Sequence, residues 1–533
     1  MPVRAFLTDS IRYSTLLLCA LGALLSLLWM ALVGPGLGVT ALFLLLAGLV
    51  GVGVYDLRQS RHAILRNYPI LGHMRFALEF IRPEIRQYFI EGDVEAGEPF
   101  TRAQRSVVYQ RAKGMPDVRP FGTKLDVGAN GYEWINHSMQ TTHIESHDFR
   151  IWIGGQPGVP REGVSPCTQP YNASVFNISA MSFGALSANA ILALNLGARM
   201  DGFAHDTGEG GISRYHREHG GDLIWEIGSG YFGCRNDDGS FSAERFAATA
   251  ADAQVKLIEV KLSQGAKPGK GGILPAAKVT EEIAAIRGIP MGHDSLSPAG
   301  HLDARDIDGL LTLIDRVRRA TGKPVGIKAC IGESSWLDQL CIELNCRGFD
   351  SAPDFITVDG AEGGSGAAPQ SLLDYMGLPI RESLPLVVDT LVTHGLRERI
   401  KVVASGKLIN PVEVAWALCM GADCINSARG FMFALGCIQS LKCNQNNCPT
   451  GITTHRIDLQ QGLDPTDKAE RVRHYQQNLE REVTVIAHAC GVESPRQLRR
   501  HHARMVVEAG RSVSLHERYP PAVIPVTAVG ADR

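Results

Sequence analysis

Short β-branched runs alternate with helical patterns from about residue 170 to about residue 430, and this alternation restricts the possible folds more than any other feature of the chain. Strands that alternate with helices are usually parallel and joined by crossover connections. An open doubly wound sheet has this pattern too, but the span and the number of repeats favour a (β/α)8 barrel. The predicted strands are 176–181, 257–262, 324–330, 354–360, 401–406 and 424–430. The sequence therefore predicts an α/β barrel of the TIM type, with its site at the carboxyl ends of the strands.

The N-terminal region contains two uncharged apolar runs, 14–33 and 39–54, separated by the turn "GPGLG". The first run is long enough to cross a hydrocarbon layer of roughly 30 Å as a helix. A cleavable signal peptide and a buried core hairpin are the alternatives, but the immediate second run favours a membrane hairpin. Arginines flank the hairpin on both sides: Arg4, Arg12, Arg58, Arg61 and Arg66. Because positive charge favours the cytosolic side, both ends are predicted to face the cytosol.

Charge and cysteine content exclude two classes of protein. Lys and Arg total 53 against 55 for Asp and Glu, so nothing in the net charge of −2 indicates a nucleic-acid partner. Twelve cysteines in 533 residues are too sparse for a disulfide scaffold, which favours a reducing compartment. The predicted domains are a two-helix membrane anchor at 1–56, a connecting segment with short amphipathic helices at 57–165, the barrel at 166–490, and a C-terminal tail at 491–533, in which 494–506 has a helical pattern.

Glycine-rich loops follow several of the predicted strands: "MSFGALS", "DTGEGG", "SQGAKPGKGG", "DGAEGGSGAA" and "ASGKL". Glycine lets a backbone approach a ligand closely, and amides at a loop or helix start can hold a phosphate. A single loop of this kind is as readily a turn as a binding site. Because all five would end on one face of a barrel, the sequence predicts a site for a phosphorylated cofactor there.

These loops and the later cysteine run resemble the FMN-binding synthase domain of glutamate synthase. The motifs "ISAMSFGALS", "TGEGG", "SQGAKPGKGG", "GLRERI" and C-x5-C-x4-C-P occur in the same order and with similar separations, over about residues 170 to 490. The N-terminal third resembles the stand-alone, membrane-anchored branch of the FMN-binding glutamate synthase family. Several independent motifs support the resemblance.

Cys437, Cys443 and Cys448 form the cysteine run. By the resemblance these residues bind a [3Fe-4S] cluster, which agrees with the need of a cuboidal cluster lacking one iron for three thiolates. A zinc site with His455 as the fourth ligand is the alternative. Asn444 stands where the family's glutamate synthases usually have His, a difference that bears on the reduction potential more than on ligation.

The resemblance also implies how FMN would be held. Lys328 follows "VGI" at a strand end, from which its cation can point into the barrel mouth and stabilise the negative charge of a reduced flavin. An ion pair with an acidic residue is the alternative role for this lysine. The implied FMN contacts are Met181 and Ser182 near the ring, Lys328 at the ring, and Gly363, Gly364, Ser405, Gly406, Ala428 and Arg429 toward the phosphate.

The substrate residues implied by the resemblance suit a dicarboxylate. Arg287 matches the arginine that binds the substrate carboxylate, where a guanidinium can donate two parallel hydrogen bonds. Gln264, Lys267 and Glu209 match other substrate-proximal positions, and Glu209 would either transfer a proton or pair with Lys267. Lys270 stands where the family usually has Glu, which adds positive charge near the substrate.

The implied reaction is reductive amination of 2-oxoglutarate to L-glutamate, with electrons passing from the cluster to FMN. The sequence contains no convincing G-x-G-x-x-G after a strand, so a separate electron donor is expected, either a ferredoxin or an NAD(P)H-oxidising subunit. Position 2 is Pro2, without the N-terminal cysteine of a glutaminase, so nitrogen would come from ammonia, another subunit or an amine.

Two other functions are compatible with the same residues. The first is an amine-using enzyme similar to N-methylglutamate synthase, which shares the FMN domain. The second is a membrane-tethered flavin and iron–sulfur electron carrier, although electron transfer does not require Gln264, Lys267 and Arg287. The chain is expected in a cytoplasmic membrane, with its catalytic domain in the cytosol. No nucleic-acid partner is expected, and a homo-oligomer is compatible with the sequence.

Overall fold

The computed structural model describes residues 2–92, 99–116, 118–158 and 167–522. The chain divides into two compact units, Met1–Arg102 and Ala103–Arg533.

The N-terminal unit consists of helices. Pro2–Val33 and Leu37–Arg58 are long and apolar, and among the described residues their segments Arg12–Val33 and Leu37–Arg58 have mean hydropathies of 2.6 and 2.4. Most of their side chains are exposed rather than packed in a core. Both segments are therefore long and apolar enough to cross a membrane. The remaining helices of this unit are Ala63–Asn67, Leu71–Ile85 and the π-helical turn Arg86–Ile90.

A buried carboxylate fixes the connection between the second apolar helix and the helix Leu71–Ile85. Asp56 lies near the end of Leu37–Arg58 and is fully buried. It accepts hydrogen bonds from the backbone N of Ile70 at 3.0 Å and from Nε2 of His73 at 2.9 Å. These bonds set where the chain leaves the apolar hairpin.

Within the described part of the second unit, eight parallel strands close into a barrel, each paired with the next along the chain. The strands are β1 (Phe176–Ile178), β2 (His205–Asp206), β3 (Leu223–Ile227), β4 (Val255–Lys261), β5 (Val325–Ala329), β6 (Phe355–Asp359), β7 (Lys401–Ser405) and β8 (Cys424–Ser427). Strand β8 closes the barrel by pairing with β1, where Ile425 lies opposite Phe176. The predicted fold class is confirmed.

Helices surround the barrel and cover its apolar outer face. They are Arg102–Ala112, Ala188–Asp201, Arg214–Arg217, Ala243–Ala250, Glu281–Arg287, Ile307–Thr321, Ser335–Arg347, Gln370–Tyr375, Ile380–Thr393, Pro411–Cys419, Arg429–Leu435, Ile457–Gln460, Pro465–Ala489 and Leu515–Arg518. The long helix Pro465–Ala489 packs closely on Ala188–Asp201, where a Cβ on Gly197 would lie 2.5 Å from the Val472 side chain. Short 3₁₀ turns occupy Ala276–Lys278, Phe349–Ser351, Pro495–Gln497 and Arg500–His502.

A hairpin closes the amino end of the barrel. Its strands Ile151–Ile153 and Tyr171–Ala173 are antiparallel, and their buried side chains join the first core layer of the barrel. That layer contains Ile153, Tyr171, Ala173, Ala204, Ile224, Leu257, Phe355, Val403 and Cys424. Because the amino end is filled in this way, the carboxyl end is where loops can form a site.

The helix predicted over 494–506 is wrong. The segment 494–506 forms two 3₁₀ turns and then enters the strand Ala503–Glu508. This strand pairs with Arg511–Ser514 and with the distant strand Glu133–Ile135. Long-range pairing of this kind overrides local helical spacing. Elsewhere in this unit, Ile273–Leu274 and Ser295–Leu296 form a separate two-stranded antiparallel sheet.

Candidate active site

The predicted site residues lie at one end of the barrel because all eight strands run in the same direction. Ser182 and Glu209 follow β1 and β2, Lys328 lies near the end of β5, and Arg429 follows β8. The same end carries Met181, Gln264, Lys267, Gly363, Gly364, Ser405, Gly406 and Ala428. The candidate site is therefore formed by loops that are far apart in sequence.

Arg287 ends the helix Glu281–Arg287 and points its guanidinium toward the loop after β1. Its Nη2 donates to Phe183 O at 3.3 Å and to Ser182 Oγ at 3.4 Å, and its Nη1 donates to Ser295 Oγ at 3.1 Å. The guanidinium also lies 5.1 Å from the centroid of the Phe232 ring. Burial lowers the pKa of Arg287 to about 10, while Glu209 opposes that shift. These contacts hold a buried cation in a fixed plane beside the predicted flavin residues.

Glu209 lies between two lysines. Its carboxylate is 3.2 Å from Lys261 Nζ and 4.0 Å from Lys267 Nζ. Burial raises the pKa of Glu209, but Lys261, Lys267 and Arg287 outweigh burial and lower it to about 2. A carboxylate held in this way stays ionised at neutral pH and attracts a cationic nitrogen.

Lys261 connects the predicted substrate residues, although the sequence did not single it out. Besides Glu209, its ammonium donates to Gln264 Oε1 at 3.0 Å. It also lies 3.6 Å from Glu226 Oε1 on β3. The available signal was the pattern of β4, where Glu259 and Lys261 are charged residues two positions apart in an apolar strand and so share its inner face.

Lys328 is paired with acids inside the barrel, as the alternative role for this residue predicted. Its Nζ lies 2.8 Å from Glu226 Oε2 and 4.0 Å from Glu259 Oε2. Carboxylate oxygens of Asp206, Glu226 and Glu259 all lie within 4.8 Å of one another around this ammonium. Burial raises the pKa of Glu259 to about 7, with Lys328 opposing the shift and Glu226 adding to it. Burial and the same neighbouring acids also raise the pKa of Asp206.

These pairs form one continuous row of alternating charge, which we call the ion-pair row. It runs from Glu259 through Lys328, Glu226, Lys261 and Glu209 to Lys267. The row begins deep in the barrel and ends among the residues predicted to contact substrate. It places Lys328 and Glu209 in a single electrostatic network.

The loops after β4, β6 and β7 meet at a buried carboxylate. Asp359 accepts from Gly265 N at 2.8 Å and from Ser405 Oγ at 3.0 Å. Gly265 has no room for a side chain, because a Cβ there would lie 1.9 Å from Gly360 O. The backbone itself therefore lines this part of the barrel mouth.

Arg429 supplies the cation on the same side. Its Nη2 donates to Glu362 O at 2.8 Å, and a Cβ on Gly364 would lie 3.2 Å from its Nη1. Burial lowers the pKa of Arg429 to about 10, against the opposing effect of Asp359 and Glu362. A partly buried guanidinium beside glycine backbone suits a phosphate group.

The three predicted cluster cysteines lie close enough to influence one another. Burial raises the pKa of Cys437 to about 12, and Cys443 and Cys448 add to that shift. Hydrogen bonds from threonines outweigh burial at Cys448 and lower its pKa. The loop is also strained, because Gln439, Leu441 and Asn446 have φ values of 57°, 56° and 55°. Such strain at non-glycine residues is typical of a binding loop.

The donor set of the cysteine loop suits a cluster better than a single zinc ion. Within the ranges that the structure describes, no set of three ligands that includes these cysteines has its ligand atoms within 4.8 Å of one another. His455, the fourth ligand in the zinc alternative, donates from Nε2 to Gly184 O at 2.9 Å. Burial lowers the pKa of His455 to about 4. With His455 bonded to Gly184 O, three thiols remain, which is the number that a cluster lacking one iron needs, whereas a tetrahedral zinc ion needs four ligands.

One loop connects the cysteines, the arginine and the predicted flavin residues. After β1, Phe183 O accepts from Arg287, Gly184 O accepts from His455 and Ala185 O accepts from Lys278 at 2.8 Å. Three consecutive carbonyls are thus held by side chains from different parts of the chain. Sequence reasoning did not identify Lys278, whose motif "AAKVT" has no chemical signature.

Comparison with known proteins places this geometry in a family. The model of the conserved region in glutamate synthase matches residues 156–493. The chain is 37% identical to the glutamate synthase large subunit-like protein YerD of Bacillus subtilis (strain 168), over 87% of this chain and 93% of that protein. It is 35% identical to the archaeal-type glutamate synthase (NADPH) of Thermotoga neapolitana, over 64% of this chain and 62% of that protein.

A third relative extends the comparison. The glutamate synthase large subunit-like protein of Rhizobium meliloti (strain 1021) is 30% identical over 71% of this chain and 85% of that protein. The matched region contains all eight barrel strands, the ion-pair row and the cysteine loop. The chain belongs to the glutamate synthase family.

Proposed function

We propose that this protein is a membrane-anchored oxidoreductase that forms L-glutamate by reductive amination of 2-oxoglutarate. The observation that carries the proposal is the arrangement of Arg287, Lys267, Gln264 and Glu209 beside Lys328 at the barrel mouth. The names of the relatives support the reaction type, since two of those compared are glutamate synthase large subunit-like proteins and one is an archaeal-type glutamate synthase.

The charges of this arrangement suit a 2-oxo dicarboxylate and a nitrogen donor. Arg287 would bind a carboxylate of 2-oxoglutarate, for which a planar guanidinium with a fixed orientation is well suited. Lys267 is buried and its ammonium lies 4.0 Å from Glu209, so it would contact the second carboxylate or the 2-oxo oxygen. Glu209, ionised at neutral pH, would hold the cationic nitrogen of ammonium or of the imine.

The residues present fit FMN and a [3Fe-4S] cluster. When bound, FMN would supply the hydride that reduces the imine, and the cluster would supply electrons one at a time. Arg429 and the backbone at Gly363 and Gly364 would hold the phosphate, and Lys328 would lie at the flavin ring. Cys437, Cys443 and Cys448 would ligate the cluster, which needs three thiolates.

A separate protein would supply the electrons. The G-x-G-x-x-G match at 228–233 follows β3 but opens no helix, unlike a dinucleotide-binding fingerprint, which supports a ferredoxin or an NAD(P)H-oxidising subunit as the donor. The apolar helices of the N-terminal unit would anchor the chain in a cytoplasmic membrane. Arginines at both ends of the hairpin support a cytosolic catalytic domain.

The test follows flavin absorbance in the detergent-solubilised full-length protein under anaerobic conditions. The protein is reduced chemically and mixed with 2-oxoglutarate alone, with 2-oxoglutarate and ammonium, or with 2-oxoglutarate and methylamine. We expect reoxidation only when both substrates are present, together with formation of glutamate. Reoxidation with 2-oxoglutarate and methylamine but not with 2-oxoglutarate and ammonium, together with formation of N-methylglutamate, would instead identify an amine-using enzyme. A flavin that stays reduced in every mixture would contradict the proposal and favour the electron-carrier function.

A further inference from the structure

Lys278 is a buried cation outside the ion-pair row. It ends the turn Ala276–Lys278 and is only 2% exposed. Its ammonium donates to two neutral groups, Ala185 O at 2.8 Å and Cys443 O at 3.3 Å. Among the residues that the structure describes, no carboxylate lies within 4.0 Å of this ammonium.

A buried ammonium without a counter-ion is unfavourable, so its surroundings should supply a negative charge. Of its two acceptors, Ala185 O and Cys443 O, the second belongs to the cysteine run. The negative charge that this lysine lacks is therefore to be expected on the side of the cysteines.

The turn that carries Lys278 is fastened to the cysteine loop at a second point. Asn446, between Cys443 and Cys448, donates from Nδ2 to Ala277 O at 3.0 Å. The backbone of Asn446 in turn accepts from Thr454 Oγ1 at 2.6 Å. Two hydrogen bonds therefore connect this turn to the cysteine loop, one from the ammonium of Lys278 and one from the side chain of Asn446.

We propose that Lys278 is the buried counter-ion of an iron–sulfur cluster on Cys437, Cys443 and Cys448 and that its charge raises the reduction potential of that cluster. The inference rests on the cluster of the proposed function and adds a residue that determines its potential. A cluster with three thiolates is anionic and becomes more so on reduction, so a fixed neighbouring cation stabilises the reduced form more than the oxidised form. The hydrogen bond to Ala185 O would also hold the loop after β1 against this cation.

The alternative is that Lys278 serves only as a clamp between two loops, and the chain offers a matched control for that role. Lys323 is 4% exposed, and its ammonium donates to the backbone carbonyls of Ala250 and Asp252. It precedes β5, at the amino end of the barrel, whereas the cysteine loop follows β8. Lys323→Met removes a buried clamp of the same kind without removing charge near the cysteines.

The experiment is a redox titration of the cluster, followed by electron paramagnetic resonance, in the full-length wild-type protein and three variants. In Lys278→Met the ratio of reduced to oxidised cluster at the wild-type midpoint potential should fall about tenfold. For a one-electron couple this corresponds to a midpoint potential that is lower by about 59 mV. Lys278→Arg keeps the charge, and Lys323→Met keeps the lysine at the cluster. Both should titrate close to the wild type.

Iron content separates failure of this inference from failure of the proposed function. A wild-type protein without iron or a cluster signal would overturn both. A cluster whose midpoint is unchanged in Lys278→Met would overturn the counter-ion alone. If Lys278→Met holds no cluster, Lys278→Arg distinguishes the two roles of the lysine. A cluster retained in Lys278→Arg supports a role for the charge. Loss of the cluster in both variants overturns the counter-ion and shows that the side chain acts as a clamp.

Discussion

Charged side chains inside the barrel show how far residue-level prediction extends. The sequence indicated that Lys328 points into the barrel mouth, and it left open whether this lysine contacts a ligand or an acid. The structure pairs it with Glu226 on β3 and Glu259 on β4. Neither partner could be deduced from sequence, because β3 was not among the predicted strands and pairing between strands is set by barrel closure.

Glu259 gives a pH-dependent prediction at the scale of one residue. Burial raises its folded-state pKa from 4.5 to about 7. Below about pH 4.5 the carboxyl is protonated in both states. Between 4.5 and 7 only the unfolded chain releases the proton, so stability falls as pH rises, in total by about 3 kcal/mol at 1.36 kcal/mol per pKa unit. Glu259→Gln should remove this loss.

The measurement is the thermal unfolding midpoint in detergent at pH 5 and pH 7.5. The unfolding midpoint of Glu259→Gln minus that of the wild type should increase from pH 5 to pH 7.5, whatever the sign of this difference at pH 5. Glu343→Gln, at a half-exposed site on the helix Ser335–Arg347, is the control and should show no such shift. Parallel curves for Glu259→Gln and the wild type would show that Glu259 is ionised throughout this range.

Arg287 provides a prediction about substrate binding. Arg287→Lys keeps the charge but loses the planar fork, so it should lose at least one charge-assisted hydrogen bond to a carboxylate, worth about 1.5–3 kcal/mol. KM for 2-oxoglutarate should rise about 10- to 150-fold. Arg235→Lys is the matched control, because Arg235 also lies against the Phe232 ring, at 5.7 Å. Equal effects of the two variants in steady-state assays would contradict a specific carboxylate contact.

At the scale of elements, the sequence predicted the barrel from strands with continuous β-branched runs. The six predicted segments correspond to β1 and β4 through β8. Strand β2 has two residues, and β3 contains Trp225 and Glu226 within "LIWEI", so neither has a clear local pattern. The tail was misread because Ala503–Glu508 gains its hydrogen bonds from Glu133–Ile135, more than 300 residues away.

The close approach of two loops predicts the effect of one methyl group. Gly265 follows β4 and faces Gly360, which follows β6, where an added Cβ would lie 1.9 Å from a carbonyl oxygen. Gly265→Ala must therefore separate the two loops and should lower stability by on the order of 3 kcal/mol. Gly332→Ala is the control, since no atom lies within 4 Å of a Cβ at that position after β5. Thermal midpoints of the two variants, measured together, distinguish a local clash from a general effect of alanine.

At the scale of the whole molecule, the amino end of the barrel is filled by a packed core, and the carboxyl end carries the candidate site. The hairpin Ile151–Ile153 and Tyr171–Ala173 fills the amino end with apolar side chains. Charged and glycine-rich loops occupy the carboxyl end, where the loop after β1 is bonded to Arg287, His455 and Lys278. This division explains why glycine-rich loops and a cysteine run, read together, located the candidate site, whereas its internal ion pairs required the folded chain.

The N-terminal unit gives the last prediction, which concerns attachment to a membrane. Leu25 lies near the middle of Arg12–Val33 and is 55% exposed, as expected for a side chain that contacts lipid. An arginine at the centre of a membrane helix costs about 2.5–3.5 kcal/mol on insertion scales. Leu25→Arg should therefore lower the fraction of protein that stays in membranes after an alkaline carbonate wash. Ile342→Arg, at a 53% exposed site on the barrel surface, should leave that fraction unchanged. Release of the wild-type protein by the same wash would mean that the apolar helices do not span the bilayer.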